Sequence, residues 1–177
     1  MWAPFAKQVF ISGTFTAGEK QPLTSEGDGY WFALIRNVEP GHQYKYIIET
    51  PDGRLLEKND PRARAITSSD KGFSVVVDNN FDWQNDANFA MPPRQDQVIY
   101  ELHVGTFNRP DAATSGTFDS AIEKLDYLRD LGVNIIELMP ITSMAFSNGW
   151  GYAPNHIFSV ESMLGGRHGL MKFVREC

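Results

Sequence analysis

The feature that most constrains the fold is a strand–helix–strand pattern in the second half of the chain. Two apolar runs, "VIYELHV" and "VNIIELMPI", begin at Val98 and Val133 and are typical of strands covered on both faces. Between them, apolar residues recur at spacings of three and four, as on one face of a helix: Phe118, Ala121, Ile122, Leu125, Leu128 and Leu131. Two strands joined through a helix run parallel, with a right-handed crossover. The pattern therefore predicts a parallel sheet covered by a helix.

The ends of this predicted helix carry residues that start and stop helices. Thr117 is a good N-cap residue, and Gly132 suits the left-handed conformation in which many helices end. Pro140 is expected to stop the second strand, and a last helix is predicted from about His168 onward. Because a closed (β/α)8 barrel takes about 250 residues, a barrel built on this pattern would be incomplete within residues 98–177.

Residues 1–78 follow a different pattern. Segments rich in aromatic and β-branched residues are separated by Gly, Pro and Asp: 7–15, 29–38, 43–50, 54–58 and 71–78. This alternation is typical of an antiparallel β-sandwich. Residues 79–97 are rich in Asn, Asp and Pro and predict a linker, with Phe81 and Trp83 packed against a neighbouring element. The predicted organisation is a sandwich over 1–78, a linker over 79–97 and a βα segment over 98–177.

Composition narrows the classes of partner. The formal net charge is −6 and Lys and Arg form no long run, so a nucleic-acid partner is not expected. No segment approaches the about 20 apolar residues of a membrane helix, and the start of the chain lacks the pattern of a signal peptide. Cys177 is the single cysteine, so neither a disulfide framework nor a zinc motif is predicted. We expect a soluble, cytoplasmic protein without a membrane partner.

The stretch "SNGWGYAPNHIF" is unusually rich in aromatic residues for a connection between elements. From the residues alone, three interpretations stay open: an aromatic site that stacks on a sugar ring, a metal-binding loop, or a connection whose rings pack inward. No second His, Asp or Glu stands at ligand spacing near His156, which disfavours the metal. No metal and no cofactor is predicted.

Three motifs occur in a familiar order: "QVIYELHVGTF", "GTFDSAIEKLDYLRDLGVNIIELMPI" and "WGYAPNHIFSVES". They resemble the start of the catalytic barrel in the α-amylase superfamily, glycoside hydrolase family thirteen. The first half resembles the sandwich that precedes this barrel in glycogen branching enzymes, maltooligosyl trehalose trehalohydrolases and isoamylase-like enzymes. It is also similar to the glycogen-binding module of the AMP-activated kinase β subunit. The resemblance implies an immunoglobulin-like, early-set β-sandwich followed by the first, incomplete βα units of a TIM (β/α)8 barrel.

The resemblance also implies roles for individual residues. Barrel strand one is expected at Val98–Thr106 and strand two at about Asn134–Met139. In the family, the tyrosine of the "WGY" motif forms a platform for the sugar ring at the cleavage subsite, and here it is Tyr152. Trp150 is expected to form a wall of the same pocket. A tyrosine suits this role because its face stacks on C–H groups and its hydroxyl forms hydrogen bonds.

Other polar residues of the barrel segment are given structural roles. Asn155 and His156 are expected to form hydrogen bonds within the loop. Glu101 and Glu137 lie inside the two predicted strands, where a structural role is favoured over an acid–base role. His103 is a tempting general base, but we interpret it as a packed, hydrogen-bonded strand histidine.

The catalytic residues of the family are not identified in this sequence. Glycoside cleavage needs a nucleophile and a general acid, which the family takes from barrel strands four and five, with a third acid after strand seven. The resemblance places the end of residues 1–177 before barrel strand three and their start after the family's first sandwich strand. These residues alone are therefore predicted to be inactive.

The sandwich lacks the residues that make this module bind glucan. In binding versions two tryptophans stack on the sugar, whereas here Gly18 stands at the first position and Leu55 or Leu56 at the second. Lys45 matches the family's lysine and stays a candidate glucan contact. Trp31 is expected in the core. The resemblance therefore favours a structural sandwich that supports the barrel.

The predicted function is that of an amino-terminal fragment of an α-glucan-active hydrolase or glucanotransferase in carbohydrate metabolism. The expected partner is an α-glucan such as glycogen, starch or a maltooligosaccharide. The motifs do not choose among branching, debranching and trehalose-releasing chemistry. Two alternatives stay open. One is a non-catalytic α-glucan-binding module, and the other is a relic whose exposed strand edge promotes association.

Overall fold

Among the described residues of the first half of the chain, seven strands form two antiparallel sheets. The computed structural model describes residues 1–67, 72–84, 87, 89–145 and 150–177. The strands are β1 Gln8–Gly13, β2 Gln21–Pro22, β3 Thr24–Gly27, β4 Tyr30–Phe32, β5 Gln43–Glu49, β6 Leu55–Lys58 and β7 Ser74–Val75. The larger sheet has the order β2-β1-β5-β6, with β7 also paired to β5, and the smaller sheet is β3-β4. Met1–Asp78 is one compact unit and Asn79–Cys177 is a second.

The two sheets of the first unit pack on a shared core. Val9 of β1, Trp31 of β4 and Leu23 between them form one buried cluster. The indole nitrogen of Trp31 donates to the carbonyl of Ala3 at 3.1 Å, so its polar atom is satisfied inside this cluster. Contact between residues of both sheets makes this unit a β-sandwich, as predicted, and confirms Trp31 as a core residue.

Strand lengths in the sandwich differ from the prediction at two places. The segment predicted over 29–38 is extended and paired only at Tyr30–Phe32. Asn37 adopts a left-handed conformation with φ of +57°, which interrupts an extended backbone. The segment predicted over 71–78 pairs only at Ser74–Val75, and Lys71 lies outside the described residues.

The second unit contains four helices and four strands among its described residues. They are β8 Ile99–Leu102, α1 Val104–Phe107, α2 Phe118–Ile122, α3 Leu125–Asp130, β9 Ile135–Leu138, β10 Thr142–Met144, β11 Pro154–Val160 and α4 Gly166–Glu176. Strands β8 and β9 pair in parallel, from Ile99 opposite Ile135 to Leu102 opposite Leu138. The predicted parallel pairing is therefore confirmed, but the prediction that the strands are covered on both faces was wrong for β8, in which Ile99, Tyr100 and Glu101 are exposed. One buried cluster joins the parallel pair to all four helices: Leu102, Val104, Phe118, Ala121, Leu128, Leu164 and Phe173.

The start of both parallel strands is held by one side chain that the sequence analysis did not single out. The Asn134 side-chain oxygen accepts from the backbone N–H of Val98 at 2.8 Å, and its nitrogen donates to the carbonyl of Asp96 at 2.8 Å. These two bonds fix the relative position of β8 and β9 at their amino ends.

The first barrel strand is shorter than predicted. Paired residues end at Leu102, because the carbonyl of His103 accepts from the N–H groups of Thr106 and Phe107, both at 3.0 Å. These bonds turn Val104–Phe107 into a helical turn instead of continuing the strand.

The predicted helix forms, but as two short pieces. Thr117 caps α2 by accepting from the N–H of Ser120, and Gly132 has φ of +94°, so both predicted helix ends are confirmed. The helical backbone is interrupted at Glu123 and Lys124. The prediction was wrong for Leu131, which is 60% exposed because α3 ends before it.

The connection after β9 is more regular than expected. Strands β10 and β11 pair antiparallel, so the predicted loop contains a hairpin. The last helix begins at Gly166, two residues before the predicted start. Phe81 packs as predicted: its ring lies 5.6 Å from the ring of His168 and 4.7 Å from that of Trp83. Of the helices that are described, none is both long enough and apolar enough to span a bilayer.

Candidate functional site

Two residues mark the carboxyl edge of the parallel pair. His103 directly follows β8, and Pro140 comes two residues after β9. Because parallel strands end at the same edge of a sheet, these two residues belong to one rim. In barrels of parallel strands, functional residues sit at this edge.

Trp150 lies against the first of these residues. The ring centroids of Trp150 and His103 are 6.2 Å apart and their planes differ by 27°, which is a stacked arrangement. Trp150 itself has φ of +51°, an uncommon conformation for a residue with a side chain. Its side chain is 63% exposed, so stacking on His103 leaves much of the indole open to solvent.

Gly151 lies against the second of these residues. Its φ is +84°, and a Cβ atom there would be 2.2 Å from the carbonyl oxygen of Pro140. Only glycine fits this contact without moving backbone atoms. The tip of the β10–β11 hairpin is thus attached to the ends of both parallel strands.

Tyr152 follows immediately and is 67% exposed. Tyr152 and Trp150 therefore present two large aromatic side chains to solvent at the carboxyl edge of β8 and β9. Their faces can stack on the C–H groups of a sugar ring, and the Tyr152 hydroxyl can donate and accept hydrogen bonds. Residues 147–149 of the predicted aromatic segment lie outside the described residues.

A buried carboxylate that the sequence analysis missed holds the base of the hairpin. Glu161 is 6% exposed, and its two oxygens accept from the N–H groups of Met144 and Met163, each at 3.1 Å. It thereby ties β10 to the turn Ser162–Leu164 that precedes α4. The only local signal was its place before a short turn, where a carboxylate can cap N–H groups.

The expectation that Asn155 and His156 form a loop was wrong, because both lie in β11. His156 pairs with Ser143 of β10. Burial lowers the pKa of the His156 imidazole from its ordinary value of 6.5, since desolvation penalises the charged form. The pairing of β10 with β11 places both residues in a strand, and the interpretation of this segment as a loop did not predict that pairing.

The other residues of the barrel segment are placed as follows. His103 is half-buried and its Nδ1 lies 3.0 Å from the hydroxyl of Thr106, so it is packed and hydrogen-bonded, although it follows the strand instead of lying within it. Glu101 and Glu137 are directly opposite each other across β8 and β9, and both are exposed.

Lys45 lies in the sandwich, on β5, and its side chain is only 18% exposed. Its Nζ is 4.8 Å from the centroid of the Phe73 ring and 3.9 Å from a carboxylate oxygen of Glu57. The ammonium group is thus engaged within the sandwich, and a glucan contact by Lys45 stays a prediction.

In the part of the chain that the structure describes, no three His, Cys, Asp or Glu side chains come together in a way that could hold a metal ion. The described residues of the site supply aromatic faces and hydrogen-bonding groups, which can bind and orient a ligand.

Comparison with known families divides the chain in two. Residues 1–63 match the family Carbohydrate-binding module 48 (Isoamylase N-terminal domain). Residues 101–177 match the family Alpha amylase, catalytic domain.

Individual relatives match along the whole chain. A malto-oligosyltrehalose trehalohydrolase of Saccharolobus solfataricus is 35% identical over 99% of this chain and 29% of its own length. The 1,4-alpha-glucan branching enzyme GlgB of Bacillus caldolyticus is 36% identical over 100% of this chain and 28% of its own length. The chain thus spans a little over a quarter of the length of these curated relatives.

A solved structure agrees. A crystal structure described as that of an alpha amylase from Salmonella typhimurium superposes with a TM-score of 0.85 at 32% identity, over 99% of this chain and 28% of that chain. The immunoglobulin-like sandwich and the beginning of a TIM barrel, which the resemblance implied, are both supported by these matches. The chain thus resembles the amino-terminal part of α-amylase family enzymes: residues 1–63 correspond to the carbohydrate-binding module 48 sandwich, and residues 101–177 to the first βα units of the catalytic barrel.

Proposed function

We propose that this chain supplies part of an α-glucan-binding site, with Tyr152 as a sugar platform and Trp150 as a wall beside it. The observation that carries the proposal is the exposure of both side chains, 67% and 63%, at a hairpin tip held to the carboxyl ends of β8 and β9. Exposed aromatic rings on a fixed backbone suit a ligand with apolar C–H faces and polar edges, as in a glucose unit.

We further propose that the whole protein is an α-glucan-active hydrolase or glucanotransferase. Support comes from relatives named as a trehalohydrolase and as a branching enzyme. Such an enzyme would retain configuration through a covalent glycosyl intermediate, with two carboxyl groups as nucleophile and acid–base. We assign no catalytic residue within residues 1–177, and the part that this chain plays is substrate contact and scaffold.

The proposal includes the organisation and the location predicted from the sequence. These are a sandwich over residues 1–78, a linker over 79–97, a barrel segment over 98–177 and a cytoplasmic protein. The sandwich is proposed to have a structural role, since the Lys45 side chain that would contact a glucan is mostly buried and engaged with Phe73.

The test is an NMR titration of the chain with maltoheptaose, following assigned resonances of both units. We expect saturable shifts at Trp150 and Tyr152. Tyr152→Ala should weaken binding at least about threefold, because an aromatic contact is removed. Tyr127→Ala is the matched control, since Tyr127 is 60% exposed on α3 of the same unit and should leave binding unchanged.

Two outcomes would contradict the proposal. One is the absence of saturable shifts at Trp150 and Tyr152 with millimolar maltoheptaose, and the other is an equal loss of affinity in Tyr152→Ala and Tyr127→Ala. Comparing Tyr152→Phe with Tyr152→Ala separates the hydroxyl hydrogen bond from the stacking of the ring.

The second candidate function is an α-glucan-binding module without catalysis, carried by the sandwich. It is favoured by the match of residues 1–63 to Carbohydrate-binding module 48. The same titration decides between the two sites. Shifts centred on Lys45 and Phe73, with none at Trp150, would support the sandwich as the binding unit.

A further inference from the structure

The backbone conformation of Trp150 depends on contacts that hold it. A φ of +51° is unfavourable for a residue with a Cβ atom, and such residues persist only where neighbouring contacts hold them. The indole is 63% exposed, so few surrounding side chains can provide this support. Among the described residues, the imidazole of His103 stacks on the Trp150 indole and provides such a contact.

His103 is itself held in place by its own turn. Its Nδ1 lies 3.0 Å from the hydroxyl of Thr106, and its carbonyl accepts from the N–H groups of Thr106 and Phe107. Gly105 lies so close that a Cβ atom there would be 3.0 Å from Cε1 of the imidazole. The ring is therefore oriented by contacts within residues 103–107, independently of the hairpin that carries Trp150.

We propose that His103 is a positioning residue for the aromatic site: its fixed imidazole supports the indole of Trp150 and so sets the wall beside Tyr152. The expected effect on glucan binding rests on the proposed function, whereas the contact between His103 and Trp150 is independent of it. Stacking requires a flat ring and not a proton, so phenylalanine at position 103 should replace histidine in this role. A general base at position 103 would not tolerate that substitution.

The link to Tyr152 passes through one residue. Gly151 is fixed against the carbonyl of Pro140, so the backbone between Trp150 and Tyr152 has little room to adjust. Loss of the His103 ring is therefore expected to displace the Trp150 indole, and so the wall beside Tyr152, while the backbone at Gly151 stays in place. For this reason, loss of the His103 ring should weaken sugar binding although His103 itself need not touch the sugar.

The experiment compares His103→Ala, His103→Phe and Thr106→Val with the unsubstituted chain. His168→Ala is the matched control, because His168 packs on a different aromatic ring, that of Phe81. The readouts are the indole N–H resonance of Trp150, assigned with Trp150→Phe, and the affinity for maltoheptaose. Urea unfolding of each variant shows whether the fold is kept.

We expect His103→Ala to shift the Trp150 resonance and to weaken maltoheptaose binding about three- to tenfold. His103→Phe should restore the affinity, and Thr106→Val should shift the Trp150 resonance in the same direction by a smaller amount. The inference is overturned if the Trp150 resonance is unchanged in a folded His103→Ala variant, or if His168→Ala shifts it equally. Should His103→Ala fail to fold, Thr106→Val decides in the same way.

The results distinguish this inference from the proposed function. If the Trp150 resonance moves as expected but the unsubstituted chain does not bind maltoheptaose, the positioning role stands and the proposed function fails. If Tyr152→Ala weakens binding while His103→Ala leaves both readouts unchanged, the proposed function stands and the positioning role fails.

Discussion

The carbonyl oxygen of Pro140 occupies the space in which a side chain on Gly151 would begin. An ideal Cβ atom at Gly151 would lie 2.2 Å from that oxygen and 2.7 Å from the Cβ atom of Pro140. Backbone atoms cannot rotate away as the end of a flexible side chain can. The contact therefore fixes the tip of the hairpin to the end of β9, which makes Gly151 a sensitive point of the site.

Gly151→Ala should both destabilise the second unit and weaken binding at Trp150 and Tyr152. The left-handed φ of +84° alone costs alanine about 1 kcal/mol, and the overlap with Pro140 adds to this cost. Urea unfolding measures the first effect and the maltoheptaose titration measures the second.

The control for this prediction is Gly132→Ala. Gly132 has a similar φ of +94°, but nothing lies within 4 Å of the position its Cβ atom would take. The difference between the two variants isolates the contact with Pro140. Equal destabilisation by both substitutions, with binding retained, would show that the contact is not important.

Glu161→Ala should be among the most destabilising substitutions in the hairpin region. Removing the carboxylate leaves the N–H groups of Met144 and Met163 without their acceptor. An unsatisfied buried donor costs about 1–3 kcal/mol, which applies to the buried N–H of Met144, whereas the Met163 bond is only partly buried and its loss adds less. Glu161→Gln keeps one acceptor oxygen, so its loss of stability in urea unfolding should be intermediate.

A suitable control for Glu161 is Glu123→Ala. The Glu123 carboxylate accepts from the side-chain nitrogen of Asn108 at 3.2 Å in an exposed position. Its removal should change the free energy of unfolding by less than about 0.5 kcal/mol. If both alanine variants unfold at the same urea concentration, the buried bonds of Glu161 contribute little.

The parts of the fold that the sequence predicted are those set by local chemistry. Thr117 and Gly132 were identified as helix ends because capping and left-handed turns depend on single residue types. The parallel pairing of β8 and β9 followed from the order of elements. Leu131 was misjudged because periodicity continues across the residue at which a helix ends, and the bonds that end α3 are not visible in the pattern.

The organisation of the site depends on contacts between distant segments. Trp150 and Tyr152 were proposed from a resemblance. The stacking of Trp150 on His103, however, joins two residues that are separated in the sequence by α1, α2, α3 and β9. No local pattern encodes such a contact. Glu161 was missed for a similar reason: its importance comes from burial and from the N–H of Met144 on another strand.

Stability should fall as the pH decreases through the range in which His156 titrates. Burial lowers the pKa of folded His156 below 6.5, so the unfolded chain binds the proton more readily. Above the pKa that His156 has in the unfolded chain, the imidazole is neutral in both states and the free energy of unfolding is not reduced. As the pH falls below that pKa, the unfolded chain takes up the proton first, so the free energy of unfolding decreases. His156→Gln should therefore reduce the loss of stability between about pH 7.5 and about pH 5.5.

Urea unfolding of both chains at the two pH values measures this difference. An NMR titration of the His156 ring provides a direct check. A pKa at or above 6.5 in the folded chain would contradict the prediction, because burial would then not lower the pKa of His156.

Lys45→Met should lower the stability of the sandwich without affecting glucan binding. The ammonium group lies 4.8 Å from the centre of the Phe73 ring, and such a cation–π contact contributes about 0.5–1 kcal/mol at exposed sites. Methionine keeps an unbranched side chain of similar length, so the substitution mainly removes the charge. A double-mutant cycle with Phe73→Leu should show that the two effects are not additive.

Lys20→Met is the control for Lys45. Its Nζ lies 5.8 Å from the ring of Phe10, near the limit of this interaction, so a smaller effect on unfolding is expected. The informative contrary result is a Lys45→Met chain that unfolds normally but binds maltoheptaose more weakly. Because Lys45 and Trp150 lie in different units, that result would place a sugar contact in the sandwich and favour the binding-module function.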